Sequence, residues 1–200
     1  VSLFVALWLA AASAVAQTVE EGFAALDADD PRRAAAIAAA LLESAATPEA
    51  RFAAADLSAE VSFLYDPLDA ALAAALRADD AAMEAFGAEH ARRVGTLERV
   101  ALLDVEPAPW RAAIRSWSEA LRIGEALGLP EEERLYVLLG LAQVWRSAGD
   151  GRTAAIFAAE AMDLAEGLEG FDGRSYAHAA LLRAGAHLSL GRPAEGLSHL

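Results

Sequence analysis

The sequence predicts an all-α chain in which pairs of antiparallel helices stack into an α-solenoid, and three observations carry that expectation. Roughly a quarter of the 200 residues are Ala, the strongest helix former and a residue depleted from strands. Prolines fall where helices would begin, a position that tolerates them, and not in helix interiors, which exclude them. The expected helix starts also recur at a nearly fixed interval, as stacked helical repeats require.

The first sixteen residues stand apart. Val1 to Ala16 form an uncharged apolar run closing on Ala14-Val15-Ala16, and small residues at both Ala14 and Ala16 match the cleavage site of a secretory signal peptide. Residues 1–16 are therefore expected to be removed, leaving Gln17 as the first mature residue of a repeat domain over 17–200 in the periplasm or outside the cell. The run is shorter than the ~20 residues of a membrane span. No Lys or Arg precedes it, so Val1 is read as an alternative start or as a position downstream of the true one. The competing reading is a first core helix or an uncleaved anchor.

Helix starts are expected at Pro31, Pro48, Pro67, Pro109, Pro130 and Pro193. Asp30, Thr47 and Asp66 precede three of them and can accept a hydrogen bond from first-turn amides. Pro31, Pro67, Pro109, Gly151 and Pro193 are separated by 36, 42, 42 and 42 residues. Each is followed three positions on by Ala34, Ala70, Ala112, Ala154 or Gly196, small residues expected to nest one helix against another. Helical stripes at spacings of three and four accompany them. The clearest runs Leu138, Leu141, Ala142, Trp145, then a Gly149-Asp150 break, then Ala154, Ala158 and Ala161. The next unit carries Ala180, Ala184, His187 and Leu190. Earlier units carry Gly22 and Ala25; Leu57, Ser58, Val61 and Leu64; and Leu97, Val100 and Ala101 followed, one residue out of frame, by Ala113, Trp117 and Ala120.

The unit at 138–162 resembles the tetratricopeptide repeat: a large residue, Leu with a small neighbour, an aromatic, a Gly-Asp turn, then Ala on the second helix. Ala158 stands where the family usually has an aromatic, with Phe157 beside it. The resemblance covers about residues 18 to 200 and implies a right-handed solenoid of about five repeats. Its period of 42 exceeds the family's 34, which implies longer helices or links. The last helix starts at Pro193 and runs to Leu200 without the polar cap a solenoid end needs, so the chain is expected to be the amino-terminal part of a longer protein.

Composition narrows the function. A formal charge of −14 and no basic cluster beyond Arg32-Arg33 and Arg92-Arg93 exclude nucleic acid, whose binding rests on clustered cations, and disfavour anionic membranes. With no Cys, disulfides, thiolate metal sites and Cys nucleophiles are all excluded. His90, His178, His187 and His199 lack metal-ligand spacing; His187 is expected to pack in an aromatic position and His90 to sit on a solvated helix face. Asp29-Asp30 and Asp79-Asp80 are read as acids preceding helices, and Glu131, Glu132 and Glu133 as a first turn that favours negative charge. There is no phosphate loop and no GxSxG elbow. No catalytic residue, cofactor or metal is expected.

The remaining expectation is a protein- or peptide-binding scaffold in the cell envelope, its partner's identity open. The first helix of each repeat lines the concave face of such a solenoid. In this frame Tyr136, Leu139, Gln143, Arg146 and His178, with Leu181 and Leu188, are the candidate contact residues, whereas Leu138, Leu141 and Trp145 point into the stack; Trp110 and Trp117 share a helix face and are read as core. The carboxylate-gripping Lys and Asn of chaperone-binding family members cannot be built here, because neither residue occurs. The alternative is the repeat region of a secreted enzyme, for example a caspase-like peptidase, with its catalytic domain beyond Leu200. A weaker reading is an all-α ligand sensor with a closed apolar pocket.

Overall fold

The computed structural model describes residues 18–104, 110–168 and 173–198. The signal segment, Gln17, Pro109 and His199 lie outside these residues. Among the described residues there are ten helices and no strand: α1 (18–27), α2 (Pro31–Ser44), α3 (Pro48–Tyr65), α4 (Leu68–Phe86), α5 (Ala91–Leu103), α6 (Arg111–Leu127), α7 (Glu131–Ser147), α8 (Gly151–Gly167), α9 (Arg174–Ser189) and α10 (Pro193–Leu197).

Local chemistry sets the starts. Asp30 accepts from the Arg33 amide at 3.1 Å, Thr47 from the Ala50 amide at 3.2 Å and Asp150 from the Thr153 amide at 3.0 Å, each satisfying a first-turn donor. Bonds from the Thr153 amide and hydroxyl hold the Asp150 carboxyl below its ordinary range. Pro31, Pro48 and Pro193 open their helices as expected. Pro67 and Pro130 instead sit one residue earlier, as caps of α4 and α7. Asp66 does not cap α4; its amide closes the end of α3 on the Ser62 carbonyl.

The one-residue delay at Pro67 moves the frame. Ala70 is exposed and Ala71 is the residue that buries; in α6, likewise, Ala113 is fully buried while Ala112 is only half-buried. Ala34, Ala154 and Gly196 are buried where the pattern places them.

The repeat extends to individual backbone bonds. Gly149 ends α7 at φ +84° and Gly191 ends α9 at φ +72°, the left-handed conformation that glycine adopts without steric cost. Beyond each glycine the next amide reaches back across the turn: Asp150 to the Trp145 carbonyl at 3.0 Å, and Arg192 to the His187 carbonyl at 2.9 Å. Both pairs match the Schellman closure of a helix and are offset by the same 42 positions. After α1 the same bond runs from Asp30 to Ala25 at 2.8 Å, with Asp29 taking the left-handed position at φ +57°.

The chain divides into two compact units, one running to Thr96 and the other from Leu97. In the first, α2 packs on α3 and α3 on α4. Leu57, Ala54, Ala38 and Leu41 form one cluster with Val19, Phe23 and Leu26, and Gly22 leaves room for the Leu57 side chain, which a β-carbon there would overlap. The α3–α4 seam is built from Ala55, Ala59, Ala74 and Ala78. Leu64 is exposed, not packed, because it falls on the outer side of the last turn of α3.

Asp79 and Asp80 lie in the interior of α4 and precede no helix. Asp79 is half-buried against the buried Arg93, whose Nε and Nη2 donate to its two oxygens at 3.2 and 3.1 Å. Thr96 donates to the same carboxylate at 2.7 Å, and Arg93 Nη1 donates to the Ala88 carbonyl at 2.9 Å. His90 is not on a helix face either. It precedes α5, accepts from the Arg92 amide at 3.2 Å and stacks on Phe86 with ring centres 4.7 Å apart.

In the second unit α6 packs on α7, α7 on α8, α8 on α9 and α9 on α10; α7 and α9, first helices of successive pairs, also touch. Its core joins Leu135, Leu138 and Ala142 of α7, Ala158 and Ala161 of α8, and Ala180 and Leu182 of α9. His187 is nearly enclosed and lies 3.3 Å from the Glu195 carboxylate, whereas Leu190 is exposed at the helix end.

Candidate partner-binding face

Helices α7 and α9 lie side by side, so their uncovered sides form one surface. On α7 the buried stripe takes Leu135, Val137, Leu138, Leu141, Ala142 and Val144. Gln143 and Arg146 stay exposed, and Arg146 donates to Gln143 Oε1 at 3.0 Å. The Arg146 stem reaches α9: a β-carbon on Gly185 would stand 3.4 Å from its Cδ. On α9, His178 is exposed, and Leu181 and Leu188 present 61% and 59% of their surface.

Tyr136 is 46% exposed and leans edge-on against Trp117, with ring centres 5.8 Å apart at 65°. Its base is therefore anchored while one side of the ring faces solvent. Leu139 corrects the expectation. It is buried, in the same cluster as Ala179 and Leu182 of α9, because the contact between α7 and α9 covers the middle of the helix face that the repeat frame leaves open.

Charge along α7 is graded. Its first turn holds Glu131, Glu132 and Glu133 and its last turn Arg146. Near the acidic end Glu98 of α5 is driven up to about 7 by burial and by the charge of Glu133, against a smaller opposing pull from Arg99. Burial and the Glu98 charge likewise raise the Tyr136 hydroxyl. Arg134 bridges neighbouring helices by pairing with Glu160 of α8 and, at 3.7 Å, with Glu125 of α6. Helix α7 thus runs from an acidic first turn to a basic last turn, with the exposed Tyr136 between them.

Two features here carry no signal in the periodicity. The Glu98–Glu133 proximity joins helices 35 positions apart, a distance the stripe pattern does not address. Trp145 is only half-buried and, with Trp110, walls an open cleft, although the repeat frame points it into the stack; Trp117 is core as expected, 2% exposed. Among the described residues no group of His, Asp or Glu could hold a metal ion, and no helix is long and apolar enough to cross a membrane.

Paired helices closed by one recurring tight turn, at Asp29, Gly149 and Gly191, with first helices adjacent along the stack, define the fold of tetratricopeptide-like helical repeats. A Podosopora anserina kinesin light chain candidate with nearly identical TPR-like repeats has this fold: its structure and that of its Q17M variant match at TM-score 0.75 and 15% identity, covering 94% of this chain and 92% and 91% of those chains. BtubC (BKLC) from P. vanneervenii matches at TM-score 0.78 and 15% identity, covering 94% of this chain and 86% of that one. No family model and no curated protein sequence matches this chain.

Proposed function

We propose that this chain is a protein- or peptide-binding scaffold of the cell envelope, with no catalytic chemistry of its own in residues 17–200. The observation that carries this reading is the α7–α9 face, where Tyr136, Gln143, Arg146, His178, Leu181 and Leu188 are exposed on helices whose opposite sides are buried. Aromatic and Arg side chains are the types that most often dominate interfaces, and a repeat fold lays them on a rigid, extended surface. The partner is a polypeptide, since the chain's acidity opposes nucleic acid and anionic lipid. Export rests on the apolar run ending at Ala16.

Panning a random-peptide display library on the purified 17–200 domain tests the binding claim. Enriched peptides should bind wild type and lose about ten-fold or more in affinity to a Tyr136→Ala/Arg146→Ala variant, the loss expected for two interface anchors, while the variant keeps its helical circular dichroism. Peptides binding both proteins equally would place the interface elsewhere. Amino-terminal sequencing of protein secreted by a bacterial host tests export: a first residue of Gln17 is expected, and a cytoplasmic product retaining Val1 to Ala16 would remove the envelope assignment.

A further inference from the structure

The start of α6 and the end of α7 enclose an open cleft of about 520 Å³ lined by Trp110, Arg111, Ile114, Arg115, Trp145 and Ala148. Its size falls within the range of roughly 300–1,000 Å³ typical of small-molecule sites. Both tryptophans are only partly buried and line the cleft, although a tryptophan packed as core would be covered. Ile114 and Ala148 complete an apolar lining.

The lining is almost entirely apolar, and its charged residues are Arg111 and Arg115. Arg111 and Arg115 stand one helical turn apart on α6, on the same side. Both are exposed, and among the described residues neither makes an ion pair. In a chain of net charge −14, two exposed arginines line the same apolar cleft as two partly buried tryptophans.

We propose that this cleft binds a small aromatic anion, a flat ring system carrying one carboxylate or sulfonate. The ring lies against Trp110 and Trp145, where offset or edge contacts between aromatic rings are favourable, and the anion accepts hydrogen bonds from Arg111 and Arg115, whose fork geometry suits a planar oxyanion. The occupant is a free small molecule, because the cleft is ligand-sized and local to two helix ends. It is separate from the α7–α9 face and does not depend on the scaffold reading.

A pair of fluorescent probes with the same rings tests this: 8-anilino-1-naphthalenesulfonate, which carries the anion, and N-phenyl-1-naphthylamine, which lacks it. The sulfonate is expected to bind the 17–200 domain at one site per chain. An Arg111→Gln/Arg115→Gln variant, changed only at exposed positions, should weaken it about ten-fold or more, as the loss of charge-assisted hydrogen bonds implies, and leave the neutral probe within about two-fold. Ala148→Trp, which fills the cleft, should abolish binding of both with the helical dichroism intact. Unchanged sulfonate affinity in the Gln variant, or several sites per chain, would overturn the proposal. So would displacement of the probe by a Trp-Asp-containing peptide at lower concentration than by 1-naphthylacetate, which would make the cleft a protein contact.

Discussion

The backbone of Gly140 in α7 lies flush against the indole of Trp117 in α6, so close that a β-carbon on Gly140 would stand 2.4 Å from two ring atoms. Trp117 is buried in consequence, and α6 and α7 meet through this pair. Replacing a helical glycine by alanine ordinarily stabilises a helix by about 1 kcal/mol. Here the sign should reverse: Gly140→Ala is expected to destabilise by about 1–3 kcal/mol, since the ring must shift within a packed core. A denaturant midpoint at or above wild type would contradict this packing.

The tryptophans should separate by burial. Trp117→Ala is expected to cost about 3–5 kcal/mol as a large deletion from the core. Trp145→Ala should cost markedly less, because its ring is already partly exposed. Tyr136→Ala loses an edge-to-face contact worth about 0.5–1.5 kcal/mol and should rank last. Thermal melts of the three variants give the order, and a Tyr136 variant as unstable as the Trp117 variant would mean that Tyr136 is core and unavailable to a partner.

Arg93 and Asp79 have side chains only 9% and 14% exposed, so removing one strands the other in a desolvated site. Asp79→Ala should destabilise by about 3–5 kcal/mol. Replacing both at once, Asp79→Leu with Arg93→Met, should recover much of that loss, since an apolar pair carries no uncompensated charge. Urea unfolding of the two proteins makes the comparison; equal losses would show that the pair is not coupled.

Glu98 makes stability depend on pH near neutrality. Its folded value is raised from 4.5 to about 7, so the folded state holds a proton that the unfolded chain releases. Its contribution is fully present below pH 4.5 and is lost as pH rises through about 7, a change on the order of 2–3 kcal/mol. Glu98→Gln should therefore stabilise the domain at pH 8 and leave it close to wild type at pH 5. Parallel stability curves for the two proteins across that range would show that Glu98 titrates normally.

Much of the fold was legible because repeats write it several times over. Gly149 with Asp150 and Gly191 with the residue after it reveal the same turn twice, and Asp30 and Thr47 cap the helices they precede. The misread positions are those where a single residue decides the frame. Ala70 yielded to Ala71 because Pro67 caps α4 from outside, and Asp79 looked like a helix start because an acidic pair reads the same whether it caps a helix or reaches across to an arginine fourteen positions on. The candidate face was less legible. Periodicity separates the two sides of α7 but says nothing of how much α9 covers, so the pattern leaves Leu139 outside while the structure buries it. Trp145 failed the opposite way: its position in the motif is the family's, but the neighbouring helix end leaves its ring uncovered.

The alanine seam between α3 and α4 has an evolutionary corollary. Ala55, Ala59, Ala74 and Ala78 are already as short as a chiral side chain can be, so no trimming there can open a void of consequence. Any enlargement must wedge the two backbones apart. Drift along this seam is therefore one-sided: Gly and Ser are the accessible neighbours, while Val or Leu is closed off unless the facing helix recedes in the same step. Related sequences should keep these four positions small even where every surface residue has turned over, and that invariance would mark spacing between helices, not contact with a ligand.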